Sequence, residues 1–269
     1  SLAPLHPRYV SMVDSGNLAA NLLVLGSGCA ELSEARVLPP RLFAGLRDTL
    51  RVLLDEARVT EGLRIGAELR RKVERQIEDL DHAPSTLNAA NAWLARLTIA
   101  AAELTAAADG DTELAWWARA FERSCNDHQT DLLHLATWLA LPPPPAGIWE
   151  LGAGEQIQRL ATLRRTYDRL DAAATLRDVA GLATTMTPLI EAATSEASTE
   201  VKEWLLKWSA ALARAAEHAG ARIQDLDDVA AECRELADMD FGLLYNSSSD
   251  LFAIGYNVSE RRLDASFYD

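Results

Sequence analysis

The densest run of metal-ligating side chains lies between Cys125 and His134, where Cys125, Asp127, His128, Asp131 and His134 fall within ten residues. On a helix Asp127, Asp131 and His134 stand at i, i+4 and i+7 and share one face. Helical zinc motifs set two histidines four residues apart. His128 and His134 are six apart and leave different faces, so the stretch reads as a polar helix surface and no metal site is assigned. A second group, Asp225, Asp227, Asp228, Glu232 and Glu235, offers the paired carboxylates that glycosidic chemistry uses. Acidic residues near a helix N-terminus also favour the macrodipole without any catalytic purpose. With a helix expected over Arg222–Asp238, the solvated-face reading wins.

Two glycine turns, Trp149-Glu150-Leu151-Gly152-Ala153-Gly154 and Gly26-Ser27-Gly28, have the look of phosphate-cradling loops. Such loops need a buried parallel strand before them and a further glycine for close backbone approach. Four prolines precede the first, and the second sits within or just after a helix, so both are expected to be bends. Cys125 and the five histidines form no Cys–His or Ser–His–Asp set, and there is no nucleophile elbow or phosphate loop. No cofactor is implied, and no catalytic residue can be nominated. Trp93, Trp116, Trp117, Trp138, Trp204 and Trp208 recur at helical spacing, which points to core packing, with one or two left to stack on sugar rings.

The elements that must position these residues are helices. Alanine and leucine dominate, aromatics are 6% and β-branched runs are nearly absent. Alanine loses no side-chain entropy in a helix, and straight-chain Leu, Glu, Arg and Gln lose little. Apolar residues step by three and four through Arg41–Arg58, Glu61–Asp81, Leu87–Ala108 and from Asp111 or Thr112 to Leu141. Pro142 to Pro145 stop that segment and favour an extended spacer. Four further periodic segments follow: Glu155–Asp171, Thr175–Ala193, Thr199–His218 and Arg222–Asp238. Tyr9 to Asn17 reads as a loop leading into a helix over Leu18–Leu32. Near the other end, Phe241–Tyr245 and Leu251–Tyr256 are short β-like runs joined by Asn246-Ser247-Ser248-Ser249-Asp250, the pattern of a hairpin.

Charge excludes whole classes of partner. Forty acidic against 26 basic residues give a net charge of −14 over 269 residues. A nucleic-acid binder needs a basic surface, as does a protein docked on anionic lipid. Neither partner is expected. The longest apolar stretches fall short of the ~18 residues that suggest a membrane span, so no direct membrane insertion is expected either. Cys29, Cys125 and Cys233 are widely spaced and odd in number, which suits a reducing compartment. Ser1 to Pro7 has neither the basic n-region nor the apolar h-region of a secretory leader, so none is expected.

The two ends carry a resemblance. Pro7-Arg8-Tyr9-Val10-Ser11-Met12-Val13-Asp14-Ser15-Gly16-Asn17-Leu18-Ala19-Ala20 resembles the P-R-Y-V-S-x-V-D-S-G-N-L-A segment of cyclic β-1,2-glucan synthases. Met239-Asp240-Phe241, Ile254-Gly255-Tyr256 and Leu263-Asp264-Ala265-Ser266-Phe267-Tyr268-Asp269 are similar to that family's M-D-F, S-I-G-Y and L-D-x-S-Y-Y-D sequence. Ala253 stands where serine is common, Phe267 where tyrosine is and Met12 where threonine is. The middle matches only in kind and length.

The resemblance implies a piece of a very large enzyme at the cytoplasmic face of a bacterial inner membrane, the piece itself soluble. In that family a membrane-embedded glycosyltransferase part builds linear β-1,2-glucan from UDP-glucose. A central (α/α)6 barrel of glycoamylase type closes the ring by transglycosylation, and a phosphorylase-like part trims length. The chain would be the start of that central domain with a helical insertion: all-α, a helical bundle with partial (α/α)6-barrel helices and a small C-terminal β-hairpin. Residues 1–38 would hold the first barrel loop and helix, 39–238 an accessory bundle with a break at 142–154, and 239–269 the hairpin leading into the rest of the barrel. Catalytic carboxylates would lie beyond Asp269. The expected partners are a β-glucan oligosaccharide, the other domains of the parent and a second copy in a homodimer. Asp14, Ser15 and Asn17 at a barrel-mouth loop, with Tyr256 and Asn257 after the second strand, are the expected sugar contacts. Capping of the first helix is the equally weighted alternative role for Asp14 and Ser15. The alternative function is a helical module for protein–protein or inter-domain interaction.

Overall fold

A computed structural model describes residues 6–268 apart from 40, 60–66, 81–83, 109, 111, 146–147, 151–154 and 195–196. The chain is all-α with a small β part. Helices α1 (Met12–Ser33), α2 (Leu42–Val59), α3 (Ala67–Leu80), α4 (Leu87–Ala107), α5 (Glu113–Leu135), α6 (Glu155–Ala173), α7 (Leu176–Ala180), α8 (Leu182–Thr194) and α9 (Thr199–Ala237) carry most of it. Residues group into two compact units: Glu34–Ala221, and a second in which Ser1–Ser33 joins Arg222–Asp269.

In the helical unit α4 packs along α5, while α2 packs on both α3 and α5. Their contact is made by the stripes visible in the sequence: Leu46, Leu50 and Leu53 of α2, Leu94, Leu97 and Leu104 of α4, and Leu114 and Phe121 of α5 are fully buried. Phe43 meets Trp93 edge-on, with ring centroids 5.1 Å apart. Thr86 and Thr112 cap α4 and α5 by accepting the N–H of Ala89 and Ala115, each three residues on. A reciprocal pair, Thr175 with Asp178, caps α7. Gly181 separates α7 from α8, so the segment expected as one helix over Thr175–Ala193 is two.

In the terminal unit the chain ends are built into two three-stranded antiparallel sheets. One has the order β1 (Tyr9–Ser11), β4 (Gly255–Asn257), β5 (Arg262–Leu263); the other has β2 (Tyr245–Asn246), β3 (Leu251–Ala253), β6 (Phe267–Tyr268). Tyr9 pairs with Asn257, Val10 with Tyr256 and Ser11 with Gly255. The run expected as one strand over Leu251–Tyr256 therefore divides at Ile254, where the chain passes from one sheet to the other. Phe241–Leu244 forms a short 3-10 helix instead of a strand, capped by Asp240 through the N–H of Gly242. The expected hairpin survives as β2 and β3 around the Asn246–Asp250 turn.

Three further expectations give way. Tyr9–Asn17 is not a loop: a strand runs directly into α1 at Met12. Ser11, rather than Asp14 or Ser15, caps that helix by accepting the Asp14 N–H at 3.2 Å, while the Met12 N–H is satisfied by the Ile254 carbonyl at 2.9 Å. Thr199–His218 and Arg222–Asp238 are a single helix, because Gly220 continues α9 instead of ending it. Gly26 is no bend either. It lies inside α1, where a Cβ would come within 3.3 Å of the Ala230 carbonyl and Cys233 Cβ of α9, so glycine permits the close approach.

Candidate functional site

The pairing of β1 with β4 brings the two ends of the chain together in the terminal unit. Gly255 is buried beneath the Tyr9 ring, and a Cβ there would collide with the phenol. The Tyr9 hydroxyl donates to Asp264 at 2.9 Å, tying residues 255 positions apart in sequence. Loss of solvation, then this bond to a carboxylate, raises the Tyr9 phenol above its ordinary value. Around the β2–β3 turn, Asn246 Oδ1 accepts from the Ser248 N–H at 2.9 Å and its hydroxyl at 2.6 Å. Asp250 follows with φ of 58°, a left-handed conformation that aspartate tolerates better than most residues, and accepts a hydrogen bond from the Tyr245 hydroxyl. That bond, together with desolvation, raises the Tyr245 phenol.

A shallow pocket of about 480 Å³ lies between the first turns of α1 and the second sheet. It is lined by Met12, Val13, Gly16 and Asn17 on one side and by Asp250, Leu251, Phe252 and Tyr268 on the other. Asn17 is the one expected sugar contact that lines it. Asp14 and Ser15 sit on the same first turns, exposed and half-buried respectively, outside the lining. Tyr256 is half-buried within its sheet between Val10 and Leu263. The Asn257 side-chain oxygen accepts the Glu260 N–H at 3.0 Å and so serves its own turn. Sequence reasoning missed Asp250, Phe252 and Tyr268. Only the turn chemistry of Asn246 to Asp250 hinted at the first of them.

The pocket joins an amide, a carboxylate and two aromatic rings. Glycosidic cleavage by a pair of acids requires two carboxyl groups on either side of the scissile bond, ~5–5.5 Å apart for retention and ~6.5–9.5 Å for inversion. Among the described residues the lining holds a single carboxylate, that of Asp250.

The other constellations resolve in the helical unit and α9. The His134 ring stacks on His218 with centroids 3.8 Å apart and planes 8° from parallel, and His218 Nδ1 donates to the His134 carbonyl at 2.8 Å. Burial lowers His128 against the opposing pull of Asp131 and Asp127. Among the described residues no three His, Cys, Asp or Glu side chains gather as a metal site. Asp225, Asp227, Asp228, Glu232 and Glu235 are solvent-exposed, but the reason differs from the one expected: α9 begins at Thr199, so they lie far from any helix N-terminus. Ile148–Glu150 of the glycine-turn candidate is a 3-10 helix, and 151–154 fall outside the described residues. Cys29, Cys125 and Cys233 are free thiols, all buried. Among the described residues no helix is long and apolar enough to cross a membrane.

Fold and site together define an all-α chain whose two ends combine in a small β part around one shallow pocket. Among proteins of known identity it is similar to cyclic beta-(1,2)-glucan synthase NdvB of Rhizobium meliloti (strain 1021), with 29% identity over 185 residues. That alignment takes in 61% of this chain and 6% of the relative, so the chain corresponds to a small part of the relative's length. No family model matches the chain.

Proposed function

We propose that this chain is a non-catalytic, substrate-lining segment of a larger transferase that closes β-1,2-glucan into rings by transglycosylation. The observation that carries the reading is the ladder between β1 and β4, which joins the two sequence blocks resembling the glucan synthases around one pocket. The likeness to the Rhizobium enzyme points to the same chemistry. A lone carboxylate among the described lining residues supports a binding role and leaves acid–base work to groups outside this chain.

The rest of an (α/α)6 barrel accounts for the apolar exterior of α1. Leu18, Leu25 and Leu32 recur every seven residues on one face and are 54%, 53% and 55% exposed. A row of leucines at heptad spacing is the stripe a neighbouring helix covers. In the isolated chain the same stripe favours pairing with a second copy, and the parent enzyme would sit at the cytoplasmic face of a bacterial inner membrane. A bracing role between domains, carried by the helical unit, is compatible with the same reading.

Incubation with linear β-1,2-glucan, followed by mass spectrometry for ring products, tests the proposal. The chain alone is expected to leave the glucan linear. The longer product of the same gene is expected to cyclise it, and Phe252→Ala in that product to slow ring closure. Rings made by this chain alone, or none made by the longer product, would overturn the proposal.

A further inference from the structure

The helical unit holds a second cavity that the first site does not use. It encloses about 160 Å³ and is lined by Asn88, Trp138, Leu141, Pro142 to Pro144, Tyr167, Trp204 and Trp208. Trp138, Trp204 and Trp208 are buried, while Asn88, Pro142 and Pro143 are exposed, so the floor is aromatic and the rim is polar. Trp208 lies at the centre of an aromatic cluster, with ring centroids 5.2 Å from Trp204, 5.8 Å from Tyr167 and 6.3 Å from Trp149.

The walls are held in place by polar contacts. Trp204 Nε1 donates to the Pro142 carbonyl at 3.0 Å and pins the proline run. Asn88 Nδ2 donates to the Tyr167 hydroxyl and to Asp171, both at 3.0 Å. Trp208 Nε1 is different: it is buried and has no hydrogen-bond partner among the described residues. A buried donor left unpaired costs about 1–3 kcal/mol, and tryptophan N–H groups in protein interiors usually find an acceptor. The prolines at the rim carry no N–H and present only carbonyl acceptors.

The chemistry of the lining selects the guest. Among the described residues no charged side chain lines the cavity, so among them neither a phosphate nor an ammonium group finds a counter-charge. A neutral ring with apolar C–H faces and a rim of hydroxyls fits every wall. Its C–H face packs on the electron-rich indoles, and its hydroxyls donate to the proline carbonyls. We infer that this cavity is a binding site for one pyranose residue of a glucan chain, distinct from the pocket of the terminal unit. That the glucan is β-1,2-linked rests on the function proposed above.

The test exploits the placement of tryptophan. All seven lie between Trp93 and Trp208, within the helical unit, so indole fluorescence reports on that unit. Titration of the full chain with linear β-1,2-glucooligosaccharide, and separately with maltohexaose, is followed by fluorescence. Asn88→Ala, at the exposed rim, and Trp208→Leu, which removes an aromatic ring from the floor, are compared after circular dichroism shows them folded. A saturable change, weakened about tenfold or more by either substitution, is the expected result. Saturation by maltohexaose alone through the same residues would uphold the pyranose site and remove the β-1,2 reading. No response to either sugar, or variants that bind like the parent chain, would overturn the site; ring closure by the longer gene product would then leave the proposed function standing by itself.

Discussion

Gly220 offers a sharp test, because sequence and structure assign opposite signs to one substitution. A helix that ended at Ala219-Gly220-Ala221 would place the glycine in the left-handed conformation common just past a helix C-terminus. Alanine there would be strained, and the protein would lose about 1 kcal/mol. The structure instead runs α9 unbroken through this position, and a Cβ on Gly220 meets nothing within 4 Å. Gly220→Ala then gains helix propensity without a clash, stabilising by about 0.5–1 kcal/mol. For a chain of this size that raises Tm by about 2–4 °C per kcal/mol. Because the chain has two compact units, the decisive measurement is local: amide hydrogen exchange from Glu217 to Gln224, which should slow. Gly26→Ala is the contrasting case, since its Cβ would press on Ala230 and Cys233 and at least part of the same propensity gain is lost. A faster exchange and a lower Tm for Gly220→Ala would refute the continuous helix.

Three other expectations follow from single contacts. Gly255→Ala should displace the Tyr9 ring and speed exchange of the β1 amides, whereas in a Tyr9→Ala background the same change should have little effect; equal effects in both backgrounds would rule out the contact. Burial, with a smaller push from Glu122, raises the Cys125 thiol to about 12, so at pH 8 it should resist alkylation until the chain unfolds; rapid native labelling would contradict its burial. The backbone hydrogen bond from Thr175 lowers the Asp178 carboxyl below its ordinary 3.8. Its folded-state pKa is depressed, so the stabilisation is complete above about pH 4 and fades as pH falls toward the lowered value. Asp178→Ala should therefore cost about 0.5–1 kcal/mol at pH 7, at the low end because the carboxylate is exposed, and progressively less in acid. A penalty that does not vary with pH would show that the cap does not depend on the charge.

Helical class was written in the sequence. Stripes such as Leu46, Leu50 and Leu53 need only a period, and alanine-rich composition needs only propensity, both properties of neighbours along the chain. The start of α5 at Asp111 or Thr112 was legible for the same reason, and the structure assigns the cap to Thr112. The site was legible only in part. Asn17 falls in the pocket lining, but Asp250, Phe252 and Tyr268 join it through strand pairings that no local pattern encodes.

Tertiary structure decided whatever depended on a distant partner. Gly26 reads as a bend until α9 lies against it, and Gly255 reads as one residue of a β-like run until Tyr9 covers it. A glycine has no side chain to announce which neighbour it admits, so its role is set by the approaching surface. The tryptophans show the same division: their spacing marks them as core, while the cavity beside Trp208 exists only where α4, α6, α9 and the proline run meet. Periodicity fixed which faces are apolar, and packing across long sequence separation determined what those faces enclose.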